Sequence, residues 1–306
     1  MVSKRLKKSP FHWNRLETKG DRVLQLFFWL ITFLFAVVCL YPFLLMIVSS
    51  FTNESTLIRE GYTLWPSRWS TDAYKAVFAG QSILDAYGIT VIITVGGTLM
   101  SLVCTSMCAY AISGTQLRYR NIIAFMFYFT MLFSGGLVPT YILISRYLSL
   151  RDNLLVYILP VLVNPWNMFL MRNFFNSIPG SFRESAYLDG ANDWQVLVKI
   201  IMPLSAPALA TIGLFYALAY WNTWMESMLY IDNDRLVTLQ FLIMRIMRNM
   251  SAARTVAQQA AILVPSPPAE TIRYATAMLS IGPIILLYPF LQRYFVAGLR
   301  VGGIKG

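Results

Sequence analysis

The chain has 306 residues, of which 57% are hydrophobic and 13% are charged, and its formal net charge is +11. A soluble globular protein carries about 25% charged residues, so this composition excludes a disordered chain and argues against an ordinary soluble enzyme. A net positive charge suits nucleic acid as well as a membrane surface, and only the placement of the charges separates these classes.

Long apolar stretches dominate the sequence. Six stretches without a charged residue are 19 to 29 residues long, at 23–51, 86–113, 121–145, 153–171, 200–225 and 274–292. A helix of roughly 20 apolar residues crosses the hydrocarbon core of a bilayer. Because lipid offers no partner to backbone N–H and C=O groups, each stretch is expected to be helical. The first stretch is too long for the apolar region of a cleaved signal peptide. The sequence therefore predicts an all-α membrane protein with six transmembrane helices.

The charges fall unequally on the two sides of this predicted bundle. One side, which includes both termini, holds 15 basic and 5 acidic residues, whereas the opposite side holds 10 basic and 8 acidic residues. Glu226, at the edge of the fifth stretch, is counted apart from them and brings the net charge to +11. The positive-inside rule then places both termini in the cytoplasm and the chain in the cell membrane. The inner connections are 114–120 and 172–199, and the outer ones are 52–85, 146–152 and 226–273. The orientation of the chain in the membrane accounts for the excess positive charge, so this charge does not indicate that nucleic acid is a partner.

Small residues and prolines mark special points in the helices. Gly96, Gly97 and Ser101 form a small-xxx-small pattern that permits close helix packing. Prolines interrupt the fourth stretch and begin the fifth: Pro160, Pro165, Pro203 and Pro207. Such kinks are tolerated where protein or a water-filled cavity pairs the freed backbone groups. A solute pathway and simple packing both remain open as explanations.

The outer loop 232–270 contains an amphipathic pattern. Its apolar residues recur at helical spacing: Leu239, Leu242, Ile243, Ile246, Met247 and Met250. Arg245, Arg248 and Asn249 fall on the opposite face, which predicts an amphipathic helix followed by a stiff turn at 265–268. This helix is expected either to lie in the outer membrane interface or to pack against an external partner.

The inner loop 181–203 predicts a helix, a turn and a second helix at the cytoplasmic surface. Ser181 and Glu184 have the spacing of a capping box for the first helix. Gly190 and Asn192 offer the permissive backbone of a tight turn. A second helix is then expected from Asp193 toward Pro203. A rigid elbow of this kind can transmit a force from a soluble partner into the membrane helices.

The spacing in this loop resembles the EAA loop of ABC importer permeases. That pattern is Glu-Ala-Ala, three residues, Gly, nine residues and Ile-x-Leu-Pro. The matching residues are Glu184, Ala186, Gly190, Ile200 and Pro203. The sequence departs from the pattern at Ser185 and Met202, and both changes are conservative enough to leave the resemblance intact.

The resemblance covers most of the chain. Trp221-Asn222-x-Trp224 is similar to an element of maltose-type permeases, and Tyr288-Pro289-Phe290 with the glycine-rich end is similar to their C-terminus. The likeness is greatest to the permeases for complex oligosaccharides of Gram-positive bacteria. It implies a carbohydrate importer subunit that pairs with a second, different permease chain.

The resemblance also implies a division of labour. A cytoplasmic ABC ATPase dimer would receive the loop, and an extracellular lipoprotein would deliver the carbohydrate. The implied coupling residues are Glu184, Ala186, Asp189, Gly190, Ile200 and Pro203. This chain lacks the Gly-x-x-x-x-Gly-Lys-Ser/Thr phosphate loop, so ATP and Mg²⁺ are expected on the separate ATPase and no cofactor on this chain.

The implied domain organisation has three parts. A cytoplasmic basic arm at 1–22 precedes a six-helix permease domain at 23–295, and a cytoplasmic tail follows at 296–306. The permease domain includes the EAA loop 181–203 and the outer loop 232–270.

Polar and aromatic residues within the apolar stretches are candidates for a solute path. Carbohydrates bind to aromatic faces and to amide or carboxylate groups, and intramembrane polar residues usually face the bundle interior. The candidates are Asn164, Trp166 and Asn167 in helix four and Tyr220, Trp221, Asn222, Trp224 and Glu226 in helix five. Other roles stay open, because Trp224 and Glu226 suit the outer interface and Asn164 suits a capping role beside Pro165.

Three other classes compete with an ABC importer for carbohydrate. A channel or secondary transporter would work without an ATPase, and the EAA-like loop has no evident use there. An ABC importer permease for another solute also remains open. An intramembrane protease or metalloenzyme lacks its residues, because the single histidine is His12 and the cysteines, Cys39, Cys104 and Cys108, form no metal-binding motif.

Overall fold

The structure is a computed structural model that describes residues 19–78, 81–114, 117–259, 270–283 and 285. The described residues contain the α-helices α1 Lys19–Ser50, α2 Glu54–Glu60, α3 Asp72–Phe78, α4 Gln81–Ser113, α5 Arg120–Leu132, α6 Leu137–Ile142, α7 Leu155–Ile158, α8 Pro165–Ser177, α9 Ser181–Leu188, α10 Asp193–Val196, α11 Met202–Leu204, α12 Ala206–Trp221, α13 Met225–Tyr230 and α14 Leu239–Gln259. A further helix occupies 270–283.

Among the described residues, two helices, α1 and α4, are long and apolar enough to cross a membrane without a break. The described part of the chain gives up to five spans if each of three bent helix pairs counts as one. The predicted sixth stretch, 274–292, is helical through 283, and its end lies outside the described residues, as do the arm at 1–18, the turn at 265–268 and the C-terminal tail.

Helix α1 is exposed along most of its length. Its side chains from 21 to 44 lie at the surface of the isolated chain, and only the end near Ser49 and Ser50 is buried. An exposed apolar helix is incompatible with water and suits a surface that faces lipid or another membrane helix.

Helix α4 is the central element of the described bundle, and it packs against α8 and α12. The predicted close approach of helices is confirmed at Gly97, where a Cβ atom would lie 2.7 Å from a ring carbon of Tyr220. Gly213 makes a second close approach to Leu102 across the same pair of helices. Small residues on both helices therefore allow α4 and α12 to touch along their length.

The stretch 121–145 is not the single straight helix that its composition predicts. It forms α5 and then α6 with its continuation to Tyr147, and the two arms meet at 114°. Gly136 has φ +86, a conformation that L side chains rarely adopt, and its N–H bonds to the hydroxyl of Ser134. A glycine in this conformation ends one helix and starts the next.

The predicted proline interruptions are confirmed. The arms Leu155–Val161 and Pro165–Ser177 meet at 53°, and the arms Asp193–Leu204 and Ala206–Trp221 meet at 85°. Steric contact with Pro165 drives Asn164 out of the helical conformation, and its ψ is 121°. The fifth stretch also ends earlier than predicted, because α12 stops at Trp221.

The amphipathic helix predicted from the outer loop is confirmed as α14. Leu239, Leu242 and Ile243 are buried, whereas Arg248 and Asn249 are exposed. The backbone N–H of Leu239 donates to the hydroxyl of Thr90, which joins the start of α14 to α4.

Two carboxylates hold connecting segments together. Glu54 of α2 accepts hydrogen bonds from the backbone N–H groups of Glu270 and Thr271, at the start of helix 270–283. Asp152 accepts from the N–H groups of Asp232 and Asn233 at 2.7 and 2.8 Å. Carboxylates at such N–H groups make charge-assisted hydrogen bonds, and one of these also complements the positive end of a helix.

Candidate coupling elbow and solute path

The loop 181–203, called the elbow below, contains two helices that meet at Gly190. Gly190 has φ +79, and its N–H donates to the carbonyl of Tyr187 at 3.1 Å. The next N–H, of Ala191, donates to the carbonyl of Ala186 at 2.9 Å. These bonds satisfy carbonyls at the end of α9, and only glycine adopts this backbone without strain.

The capping box predicted at Ser181 and Glu184 is wrong. The N-cap of α9 is Gly180, whose backbone is helical, and Ser181 is already the first helical residue. The capping box instead starts the second helix, where the side chains of Asn192 and Gln195 each accept from the other's backbone N–H. Asparagine is as effective an N-cap as serine, and this box fixes the direction in which the chain leaves the turn.

The elbow presents an apolar tip to the surface. Leu188 is 89% exposed, and Phe182 and Trp194 are 48% and 57% exposed. Ala186 is buried on the inner side of α9, where it joins the core. A single exposed apolar side chain is common in proteins, so Leu188, Phe182 and Trp194 together make this part of the elbow a candidate interaction surface.

Of the six predicted coupling residues, most lie at this surface. Glu184, Asp189, Gly190 and Pro203 are exposed, Ile200 is half-buried and Ala186 is buried. The chemical character of the elbow is therefore a mixed apolar and acidic surface over a buried small residue.

Hydrogen bonds between two tyrosine hydroxyl groups and a carboxylate link the elbow to α4. The hydroxyl of Tyr187 donates to Asp193 Oδ1 at 2.6 Å, and it lies 3.3 Å from the hydroxyl of Tyr110 on α4. These bonds to Asp193 and Tyr110 raise the pKa of Tyr187, since both favour the protonated phenol. Tyr187 is therefore a neutral hydrogen-bond donor at physiological pH.

An arginine makes a second connection between the elbow and the bundle. Arg183 Nη2 donates to Ser113 Oγ at 3.2 Å and to the carbonyl of Phe175 at 3.3 Å. Its guanidinium also lies over the ring of Tyr110, 5.3 Å from the centroid. A planar cation with several donors can join α9 to two other helices at once.

The predicted path residues of helix four lie at its bend. Asn164 is the N-cap of α8, and its side-chain oxygen accepts from the N–H of Asn167 at 3.2 Å. Asn167 is buried, and Trp166 is 59% exposed. The N–H of Asn164 donates to the hydroxyl of Tyr216 at 2.9 Å, so a side chain of α12 pairs with this backbone group at the bend.

The predicted path residues of helix five divide into two groups. Tyr220 and Trp221 are buried between helices, with bonds from Tyr220 to Ser101 and from Trp221 Nε1 to the carbonyl of Ser280. The second group is more open: Asn222 and Trp224 are exposed, and Glu226 is half-buried on the separate helix α13. The structure therefore does not place these residues on one continuous helix, and their role in a solute path stays a prediction.

Several residues that hold these sites together were missed at the level of sequence. Tyr216 joins Thr105 on α4 to the bend at Asn164, and Tyr110 joins the elbow to the end of α4. Each partner is more than 50 residues away along the chain. A hydroxyl within an apolar stretch was the one available signal, and it does not identify its partner.

Comparison with known proteins identifies the family. The permease protein YtcP of Bacillus subtilis, from a polygalacturonan/rhamnogalacturonan transport system, is 37% identical over 273 residues, covering 89% of this chain and 95% of that protein. The chain belongs to the family of sugar ABC transporter permeases. Protein LplC of the same organism is 35% identical over 271 residues, which cover 88% of this chain and 90% of LplC. A search of protein-family models found no match.

A solved structure agrees with this assignment. A chain of a bacterial ABC transporter involved in the import of the acidic polysaccharide alginate superimposes on this permease with a TM-score of 0.81. The two sequences are 32% identical, and the match covers 92% of this permease and 100% of that chain. The resemblance drawn from the EAA-like spacing is therefore confirmed at the level of the family, and the permease is a transporter component rather than an enzyme.

Proposed function

We propose that this permease is one subunit of a bacterial importer for acidic oligosaccharides. One observation carries the proposal: the similarity to the alginate transporter chain extends over nearly the whole of both chains. The name of the polygalacturonan/rhamnogalacturonan relative supports the same class of substrate, since polygalacturonan is also an acidic polysaccharide. Further relatives are named as permeases for arabinooligosaccharides and for diacetylchitobiose, which supports a carbohydrate over other solutes.

In this proposal the permease domain at 23–295 makes six spans, with the arm 1–22 and the tail 296–306 in the cytoplasm. The unequal distribution of basic residues supports this orientation, because it places the more positive side inside. The two unbroken helices and three bent pairs supply up to five of the spans within the described residues. The remaining span would continue from helix 270–283.

The elbow would contact a separate ATPase dimer, which binds ATP and Mg²⁺. Its exposed residues support this role: Leu188 offers an apolar surface, and Glu184 and Asp189 offer acidic groups beside it. The fixed turn at Gly190 gives that surface one defined shape. Closure of the ATPase dimer would then move the elbow and change the access of the solute path.

The solute path would run past the open residues Asn222 and Trp224, and the carboxylate of Glu226 would accept hydrogen bonds from saccharide hydroxyl groups rather than contact the acidic groups of the substrate. An exposed indole and polar groups are the chemistry that binds carbohydrate. The buried residues Tyr220 and Trp221 would shape the wall of the path, and Asn164 and Asn167 would shape its bend. The outer loop 232–270 would face an extracellular binding lipoprotein, and a second permease chain would complete the pathway.

Transport by the purified complex tests this proposal. The complex is captured through a tag on this permease and placed in proteoliposomes with its binding lipoprotein, and uptake of a labelled short oligogalacturonate is measured. We expect uptake to require ATP on the elbow side and to exceed uptake of a neutral malto-oligosaccharide. Uptake without ATP would favour a channel or secondary transporter, and a preference for the neutral sugar would overturn the substrate class.

A further inference from the structure

The elbow is fastened to a helix that does not flank it in the chain. Along the backbone, the elbow connects α8 to α12. The hydrogen bonds of Tyr187 and Arg183 instead lead to Tyr110 and Ser113, in the last turn of α4. The elbow is therefore joined to the bundle covalently at both ends and to α4 through the side chains of Tyr187 and Arg183.

Helix α4 carries a second set of bonds farther along the same helix. Thr105 Oγ1 lies 2.7 Å from the hydroxyl of Tyr216, which accepts the N–H of Asn164 at the bend before α8. From Thr105 to Ser113 the helix rises about 12 Å. One rigid helix thus links the elbow to the bend where the predicted solute path lies.

We propose that Tyr187 is a positioning residue that fastens the elbow to α4, so that movement of the elbow also moves the bend at Asn164. This inference rests on the proposed function, because the ATPase must act on the elbow. The side-chain attachment matters because the two ends of α9 lie at Gly180 and Gly190, so the side chains of Tyr187 and Arg183 hold α9 to α4 by hydrogen bonds. With the attachment, α9 and the end of α4 move as one body.

The hydrogen bonds show that the hydroxyl group of Tyr187, rather than its ring, has this role. Tyr187 bonds at once to Asp193, in the first turn of the second elbow helix, and to Tyr110 on α4. Its hydroxyl therefore joins both arms of the elbow to a third helix. Phenylalanine at position 187 would keep the packing of the ring and remove both bonds, which leaves the bond of Arg183 to Ser113 and a 3.5 Å contact of Tyr110 with Asp193 Oδ1 between the elbow and α4.

The decisive measurement is the number of saccharide molecules transported for each ATP hydrolysed by the full complex in proteoliposomes. For Tyr187→Phe we expect this coupling ratio to fall about threefold to tenfold, the factor that corresponds to one net hydrogen bond. Tyr110→Phe breaks the connection from the α4 side and should lower the ratio as well. The double variant should show little further loss, since both changes remove the same connection. Tyr119→Phe is the matched control, because this exposed tyrosine lies just beyond α4.

A purely structural role predicts a different result. Loss of folded protein would lower transport and ATP hydrolysis together and leave the coupling ratio unchanged, and that result would overturn the inference. Crosslinking from position 188 to the ATPase is measured in the same preparations. If the crosslink forms and Tyr187→Phe keeps the wild-type ratio, the connection to α4 is wrong and the proposed function stands. If no crosslink forms, the proposed function itself fails.

Discussion

The ring of Tyr220 lies directly over Gly97, with three ring carbons 2.7 to 2.9 Å from the position of a Cβ atom at that glycine. The hydroxyl of the same tyrosine bonds to Ser101 one turn farther along α4, at 2.8 Å. One aromatic side chain thus occupies the space left by a glycine and satisfies a buried hydroxyl beside it. This contact sets the distance between the central helix α4 and helix α12.

A methyl group at Gly97 should separate these two helices. Gly97→Ala is expected to destabilise the permease by about 1–3 kcal/mol, because the ring of Tyr220 is held by packing and cannot move away freely. The midpoint of thermal unfolding in detergent measures the effect. Gly96→Ala is the matched control, since nothing lies within 4 Å of a Cβ atom there. Equal midpoints for the two variants would contradict the contact.

Removal of the Tyr216 hydroxyl should weaken the bend before α8. Tyr216→Phe leaves the N–H of Asn164 without its partner and also removes the bond to Thr105. Thr105 is buried, and an unpaired buried polar group costs roughly 1–3 kcal/mol, so unfolding in detergent should occur at a lower temperature. Tyr128→Phe, an exposed position on α5, should leave the midpoint unchanged. Unchanged stability of Tyr216→Phe would show that the bend does not need this bond.

Proline at Gly190 should abolish coupling and preserve membrane insertion. Proline fixes φ near −65° and has no N–H, whereas Gly190 has φ +79 and donates to Tyr187. Gly190→Pro is therefore expected to lose both saccharide uptake and saccharide-stimulated ATP hydrolysis. Gly180→Ala is the control, because its Cβ atom would meet Glu184 only at 3.7 Å. Normal transport by a well-expressed Gly190→Pro permease would remove the elbow from the mechanism.

Asp152 should stabilise the outer segment in a way that depends on its charge. The N–H groups of Asn233 and Asp232 hold the pKa of this carboxyl below its ordinary value of 3.8. A lowered pKa means that the stabilisation is complete above that ordinary value and is lost as the pH falls through the lowered one. Asp152→Asn should therefore lower the unfolding midpoint slightly, and by the same amount throughout the range from about pH 5 to pH 8. A difference that grows or shrinks steadily across this range would contradict the assignment.

The apolar stretches were sufficient to predict the all-helical fold of the described residues, and the count of six spans stays a prediction. Their length requires helices in lipid, and Pro165 and Pro203 predict bends that the structure contains. The break within 121–145 escaped prediction, because a glycine pair in an apolar segment also occurs in unbroken helices. Only the positive φ of Gly136 identifies a turn there.

The elbow could also be predicted from sequence, because the residues that form it are close together in the chain. Gly190 and the helices on either side of it lie within a few residues of one another. The attachment to α4 could not be predicted, since Tyr110 and Tyr187 are 77 residues apart and tyrosines are common in this chain. Hydrogen bonds between distant helices depend on how the helices pack, which a single sequence does not specify.

Binding of a separate ATPase to the elbow is the central step of the proposed function, and crosslinking from the elbow tip tests it most directly. A photo-activatable amino acid replaces Leu188, which is 89% exposed, and crosslinked products are identified by mass spectrometry in intact membranes. A second variant carries the same group at Arg248, an exposed position on α14. We expect a crosslink to the ATPase from position 188 and none from position 248. No crosslink from position 188, or one from position 248 alone, would contradict this role of the elbow.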